Sequence, residues 1–379
     1  MLFKKFGKIE ALKLKLLKFA FVTGRNDFTV FDYFLTQLFH VEQFLLRGHL
    51  FSPTFTILEM INPTIIESPK HKTGIKVFAP ASVANVACGF DVLGFAMNKP
   101  GDEIIARFSD TPGLRITKIT GGKLPFEPEK NTAGYAALKL LEYLGESKRG
   151  IEMEIHKKMP FGSGLGSSAA SAAGAVVVIN ELLRRPILER RDLLRFAVLG
   201  ESIASGAIHA DNVAPSLLGG FTLVRDSETL DVHRIHTPRG MYATIVYPKI
   251  EILTKEARAM LKTEVPLKSM VKQSANLGAF VIGMFNSDFG LIKRSLQDVI
   301  IEPQRAALIP HFFEVKEAAY TEGVLGCSIS GSGPSIFALS PNTLIAERAG
   351  DAMRKIYEKN NIDCELYISP INHDGTVLC

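Results

Sequence analysis

Residues Pro160-Phe161-Gly162-Ser163-Gly164-Leu165-Gly166-Ser167-Ser168-Ala169-Ala170 lead without a single charge into an alanine-rich stretch. Glycine at alternate positions strips the loop of side chains, so its backbone N–H groups can close on an anion. The first turn of a following helix adds unpaired donors and the positive end of its dipole. This is phosphate-cradle chemistry. It is not a Walker A loop, because Ser167 stands where the lysine after the last glycine belongs, and the spacing is not that of a dinucleotide fingerprint. A glycine loop capped by serine has the same local composition, so the loop takes its meaning from its surroundings. The uncharged stretch runs from Met159 to Asn180, long enough to suggest a membrane span. More than half of it is Gly, Ser and Ala, whereas a spanning helix needs about 20 mostly bulky apolar residues, so it reads as a loop followed by a helix.

Outward from the loop, short β-branched runs at Ile75–Phe78, Glu103–Phe108 and Ile151–Ile155 read as strands. Asn131–Leu144, Ser171–Leu183 and Asp192–Ser205 carry apolar residues at helical spacing between Gly or Pro boundaries. A second strand region opens at Arg239–Tyr247. Helical stretches follow at Thr254–Leu261, Met270–Phe285 and Phe289–Ile300, then a strand-turn-strand at Val324–Leu339 and a final helix at Asn342–Lys359. The chain mixes strands and helices, shows no internal repeat or low-complexity linker, and at 379 residues suggests about two domains with a boundary near residue 238.

With 46% hydrophobic and 22% charged residues, the composition excludes disorder and fibre. Four scattered cysteines without C-x-x-C spacing suggest neither a disulfide framework nor a structural zinc site, and a reducing cytoplasm fits best. The formal charge of +5 is not a nucleic-acid signal. Residues 1–74 hold 10 Lys/Arg against 6 Asp/Glu, leaving 34 against 33 for residues 75–379, and a balanced body without a basic aromatic stripe gives no phosphate-backbone track. The first 60 residues differ in texture, with 11 of the 25 Phe and a lysine-rich amphipathic run from Met1 to Phe21. That run suits a membrane-surface helix; the reading placed ahead of it is an over-extended gene start with Met60 as the true first residue. No signal-peptide pattern is present, and residues 1–74 are treated as an extension of unknown role.

Pro160–Ala170 resembles the central ATP loop of the GHMP kinase superfamily, and Gly326-Cys327-Ser328-Ile329-Ser330-Gly331-Ser332-Gly333-Pro334-Ser335 resembles its C-terminal glycine motif. The two occur in the right order, the match is closest to the homoserine kinases, and it covers residues 75 to 379. The resemblance implies an α+β, two-domain GHMP kinase fold: an N-terminal ATP-binding domain over 75–238, similar to ribosomal protein S5 domain 2, and a ferredoxin-like domain over 239–379. It also implies ATP with Mg²⁺, L-homoserine as acceptor, and a place in threonine biosynthesis. Sibling kinases of the mevalonate or shikimate type, and a catalytically silent nucleotide-binding regulator, are the alternatives. Homodimerisation is common among relatives, although no residue pattern here demonstrates it.

Residue by residue, the resemblance assigns Pro160, Gly162, Ser163, Gly164, Leu165, Gly166, Ser167, Ser168, Ala169, Ala170, Gly331, Ser332 and Gly333 to the nucleotide, and Ser168 with Glu201 to the metal. One carboxylate and one hydroxyl, completed by phosphate oxygens and water, suit magnesium. Asn131 is expected at the adenine, with a helix N-cap role equally open to it. Asn85 and Asp91, in Ser82-Val83-Ala84-Asn85-Val86-Ala87-Cys88-Gly89-Phe90-Asp91, resemble the substrate-side loop; the family usually has a Gly-x-Gly or Gly-Pro-Gly where this chain has Ala87-Cys88-Gly89, so the loop's conformation is the open question. Asn85 and Asp91 as plain turn formers is the competing reading. His209, Asp211 and Asn212 resemble the acceptor pocket, joined by Thr254, Arg258 and Arg305. An amino-acid acceptor needs guanidinium for its carboxylate and a carboxylate for its ammonium. Asn212 is expected to orient the hydroxyl, with Asp211 either an ammonium ligand or a general base.

Overall fold

The structure is a computed structural model describing residues 74–183, 188–206, 209–252 and 254–379. The expectations for the lysine-rich run and for Met60 lie outside the described residues. In chain order the elements are β1 (Ile75–Ala84), β2 (Leu93–Phe108), β3 (Leu114–Thr120), α1 (Thr132–Tyr143), β4 (Ile151–His156), α2 (Ser167–Leu182), α3 (Arg190–Ser205), α4 (Ala210–Leu218), β5 (Phe221–Asp226) and β6 (Asp231–Ile235). There follow β7 (Tyr242–Pro248), α5 (Thr254–Ala259), α6 (Leu267–Asn286), α7 (Phe289–Ser295), α8 (Glu302–Arg305), α9 (Phe312–Thr321), β8 (Gly326–Ile329), β9 (Ile336–Ser340), α10 (Thr343–Lys359), β10 (Cys364–Pro370) and β11 (Val377–Leu378).

Two sheets organise these elements. The first runs β11-β1-β2-β4-β3, with β5 also on β2 and β6 on β5; the second runs β10-β7-β9-β8. Strand β2 serves two partners because it is long: residues 93–95 pair with β5, and residues 103–108 pair with β4. Every pairing is antiparallel except β3 with β4. Helix α2 is buried almost all round, from Ala169 to Asn180, which is the position of a central helix with no solvent face. Its run of Ala and Val packs with β1, β2, α1 and α3 into one core. Among the described residues no helix is long and apolar enough to cross a membrane.

An aromatic cluster fastens the two sheets. The Phe95 ring of β2 lies 4.8 Å from Phe221 and 6.0 Å from Phe337 of β9, while Phe280 of α6 lies 5.9 Å from Phe221. All four are fully buried, and tilted or edge-on contacts of this kind add to the area they bury. The chain end returns to the first sheet: β11 pairs with β1, Gly220 N donates to Asn372 O at 2.6 Å, and Thr376 Oγ donates to Ser216 O at 3.0 Å.

Three expectations need correction. The helix predicted from Ser171 begins at Ser167, directly after Gly166. The helix predicted over Phe289–Ile300 stops at Ser295, and beyond it the Asp298 carboxylate accepts from the backbone N–H groups of Ile300, Ile301 and Glu302, holding a turn ahead of α8, whose N-cap is Ile301. Helix α4 was not foreseen, because Pro215 in its interior argues against a helix.

Candidate active site

The glycine loop arches between β4 and α2 in a left-handed conformation: φ is +63° at Gly162, +79° at Gly164 and +64° at Gly166. Gly166 is the N-cap of α2 and supplies no side-chain cap, so the first-turn N–H groups face outward with the helix dipole behind them. The second glycine motif closes on the first. Ser330 Oγ donates to Gly164 O at 2.6 Å, Ser335 N donates to Ser163 O at 3.2 Å, and Gly331 N donates to Ala84 O at 3.3 Å. Two motifs more than 160 positions apart therefore form one floor.

That floor lines a cleft of about 730 Å³, within the range of a nucleotide-sized site. Residues Gly162 to Ser168, Gly331 and Ser332 line it together with Asn85, Asp91, Asn131, Glu201, His209, Asp211, Asn212, Arg258 and Arg305. Four assigned residues do not. Ala169 and Ala170 are fully buried in the hydrophobic core, because α2 has already turned inward by its third residue. Gly333 faces away, toward Ile309 and Ile329. Pro160 serves the loop through its carbonyl, which accepts from Ser163 Oγ at 2.8 Å. Of Thr254, only its place at the start of α5 is described.

Beside the glycine loop, Ser168 Oγ donates to Glu201 Oε1 at 3.0 Å. Burial pushes the Glu201 carboxyl up to about 7, opposed by the Ser168 hydrogen bond and the Lys157 charge. Among the described residues no group of three or more His, Cys, Asp or Glu side chains could hold a metal by itself. A single hydroxyl–carboxylate pair beside the open helix N-terminus instead fits a cation whose remaining ligands are phosphate oxygens and water. Asn131 is the N-cap of α1, its Oδ1 accepting from Ala133 N and Gly134 N, while its Nδ2 donates to Pro125 O at 2.8 Å. One amide hydrogen is left for a base.

At the other end of the cleft Asp91 and Arg258 pair with each other. Arg258 donates to both oxygens of Asp91, Nη1 to Oδ2 at 3.0 Å and Nη2 to Oδ1 at 2.8 Å. Buried Arg305 donates from Nε to Ala257 O at 3.1 Å and from Nη1 to Gly331 O at 3.2 Å. Both guanidinium groups lie over the Phe90 ring, at 5.6 Å and 5.2 Å from its centroid. The substrate-side loop answers its open question with strain. Asn85, Val86 and Ala87 have φ of +72°, +43° and +56°, and Asp91 +57°, conformations costly for a branched residue such as Val86. The loop is held by Asn85, whose Nδ2 donates to Gly331 O at 2.8 Å and whose Oδ1 accepts from Asp91 N at 3.0 Å.

Helix α4 brings the remaining groups. Burial, then the charge of Asp91, pushes the Asp211 carboxyl up to about 7. Burial, then the charges of Arg258 and Arg305 against that of Asp91, lowers the His209 imidazole below its ordinary value. Ser82 Oγ donates to Asn212 Oδ1 at 3.1 Å, fixing that amide against β1. Ser82, Phe90, Asp102 and Lys157 were not anticipated as site residues. Ser82 and Phe90 stand within the quoted substrate-side motif, whereas nothing local in the sequence singled out Asp102 or Lys157.

A triphosphate-sized cleft, an open helix N-terminus and a hydroxyl–carboxylate pair define a small-molecule kinase. The chain matches the family described as GHMP kinases N terminal domain over residues 131–220 and GHMP kinases C terminal over 277–359. It is 47% identical over 315 residues to a homoserine kinase of Chlorobium phaeobacteroides, covering 79% of this chain and 98% of that protein. It is 41% identical over 305 residues to one of Xylella fastidiosa, covering 80% and 93%. The crystal structure of homoserine kinase from Cytophaga hutchinsonii superposes with a TM-score of 0.79 at 52% identity, covering 81% of this chain and 98% of that one. Mevalonate kinase from L. major, at 15% identity, 78% and 96% coverage and a TM-score of 0.60, shares the fold. Within the GHMP kinases, this chain belongs to the homoserine kinase family.

Proposed function

We propose that this chain transfers the γ-phosphoryl group of ATP to the side-chain hydroxyl of L-homoserine, giving O-phospho-L-homoserine for threonine biosynthesis in the cytoplasm. The observation that carries this reading is the Asp91–Arg258 pair beside buried Arg305, at the mouth of the cleft that holds the glycine loop. An amino acid can replace both halves of such a pair, its ammonium on the carboxylate and its carboxylate on the guanidinium groups. A mevalonate- or shikimate-type acceptor offers only the second half. The hydrogen-bonded Ser168 and Glu201 argue against a silent regulator, since loss of metal ligation is the simplest route to silence.

Phosphoryl transfer depends on positioning and charge neutralisation. Residues 162–168 would cradle the phosphates with backbone N–H groups. Ser168 and Glu201 would hold Mg²⁺, which when bound neutralises charge on the β- and γ-oxygens. Asn212, fixed by Ser82, would orient the acceptor hydroxyl, and Asn131 would meet the base. The proposed division into domains at about residue 238 is supported by the change of sheet between β6 and β7. The test is ADP formation by the purified protein with ATP and Mg²⁺, offered homoserine, mevalonate or shikimate in turn. Turnover of homoserine alone is expected; equal use of mevalonate would remove the reading.

Asp211 has a pH signature. Its carboxyl titrates at about 7 in the folded chain against an ordinary value of 3.8, so the folded state holds a proton that the unfolded state has released between those values. Stability from this group is full below the lower value and lost as pH rises through about 7. The ligand-free D211N protein should therefore lose less Tm than wild type between pH 5 and pH 8. Parallel Tm curves would refute the assignment, and a D211N enzyme with near wild-type kcat would exclude Asp211 as the base.

A homodimer is part of the proposal, and α6 supports it. Leu267, Val271, Ile282 and Phe285 are each more than half exposed, on the side away from buried Phe280, Gly283 and Met284. The stripe is nearly palindromic about residue 276: Leu267 mirrors Phe285, Val271 mirrors Ile282, and Ala275 mirrors Gly278. An antiparallel second copy would set large residues against large and small against small. A side chain at Gly278 would meet nothing within 4 Å, so Gly278→Leu suits the lone chain but blocks the closest approach. Sedimentation should show a wild-type dimer and a monomeric G278L; a dimeric G278L would refute this interface.

A further inference from the structure

A buried ion pair lies beneath the glycine loop: Asp102 has no role in the chemistry above, and Lys157, which lines the cleft, has appeared only through its charge on Glu201. Asp102 of β2 is fully buried, and Lys157, just past β4, is 5% exposed. Asp102 Oδ1 accepts from Lys158 N at 2.8 Å and Met159 N at 3.3 Å, at the entrance of the loop. Asp102 Oδ2 pairs with Lys157 Nζ. The same ammonium donates to Ser167 O at 2.7 Å and Ser171 Oγ at 2.8 Å, in the first turns of α2 at the loop's exit. All three of its protons are therefore committed to protein oxygens. Desolvating both ions costs several kcal/mol, and an apolar pair of similar volume is often as stable. Stability alone gives little reason for an ion pair here, whereas its geometry ties both ends of one loop to one strand.

We propose that Asp102 and Lys157 are positioning residues for nucleotide binding: together they form a clamp that holds the entrance and exit of the 160–166 loop at the separation a triphosphate requires. The inference rests on reading that loop as the ATP site. The deciding variant is Asp102→Leu with Lys157→Met, which keeps volume and leaves no unpaired charge. Its Tm should stay close to wild type, while KM for ATP rises about tenfold or more and KM for homoserine stays within about twofold of wild type. Amide hydrogen exchange of residues 160–168 in the ligand-free protein should accelerate, with that of α1 unchanged. If the double variant does not fold, Ser171→Ala removes one leg of the clamp without exposing a buried charge, and a smaller rise in KM for ATP with the same local exchange change is expected. Wild-type KM for ATP and wild-type loop exchange in the folded variant would overturn the clamp. Failure of the wild-type chain to bind ATP would instead overturn the underlying reading, and the exchange measurement tells the two failures apart.

Discussion

Gly164→Ala is expected to lower kcat/KM for ATP by about 100-fold or more while leaving homoserine binding nearly intact. A Cβ at this position would lie 2.4 Å from Ser330 O and 2.9 Å from Gly333 O, with φ at +79°. Both obstacles are backbone atoms of the second glycine motif, so no rotamer change relieves the clash. Either the loop lifts or the facing turn retreats, and a displacement of about 1 Å at a positioning element can cost on the order of 10²-fold. Gly162→Ala supplies the control. It shares the left-handed φ, but its nearest neighbour would be Glu251 Cγ at 3.8 Å, so only the backbone cost of about 1 kcal/mol applies. Steady-state kinetics on the two variants, with circular dichroism to establish folding, decides the matter. Similar losses in both would show that close contact between the glycine motifs is not what shapes the phosphate site.

The second large effect is expected from Arg305→Lys, which keeps the charge and removes the fork. Arg305 spends Nε on Ala257 O and Nη1 on Gly331 O, and it lines the cleft beside Asp91 and Arg258. One ammonium cannot reproduce two divergent backbone bonds and still reach a carboxylate. Losing a hydrogen bond to a charged group costs about 1.5 to 3 kcal/mol, or roughly 10- to 160-fold in kcat/KM for homoserine. KM for ATP should change little. A lysine variant with wild-type homoserine kinetics would remove Arg305 from the acceptor site. Arg258→Lys should be milder, because that arginine is only half-buried and already paired with Asp91.

Legibility differed along the chain for physical reasons. The helices predicted over Asn131–Leu144 and Asn342–Lys359 agree with α1 and α10 to within a residue, because each has one apolar stripe and a side chain at its N-cap. Helix α2 lacks that stripe, being buried all round, so periodicity located it without finding its start. Strand β2 was legible only in its half that pairs with β4; the other half runs through Asn98-Lys99-Pro100, which reads as a break in a lone sequence, and opposite it the pairing with β1 shifts register between Pro80 and Ser82. Motifs anchored in glycine spacing were easier to read than single side chains. The Asp102–Lys157 pair joins residues 55 positions apart, and no local pattern announces which lysine will be desolvated.

The chain's residues alone specified the chemistry on offer: side-chain-free bends for phosphate, a hydroxyl and a carboxylate for a hard cation, and arginines with an aspartate for a zwitterion. The glycine bends follow from residue type and short spacing, whereas the hydroxyl–carboxylate pair and the arginines with the aspartate were picked out by the resemblance of their segments to a known family. Tertiary structure decided which of those groups meet. It turned Ala169, Ala170 and Gly333 away from the cleft, brought the two glycine motifs into contact, paired Asp91 with Arg258 in the absence of an acceptor, and removed water from Glu201 and Asp211. Desolvation and long-range contact depend on how two sheets and their helices exclude solvent together, a quantity that no single segment of the chain contains.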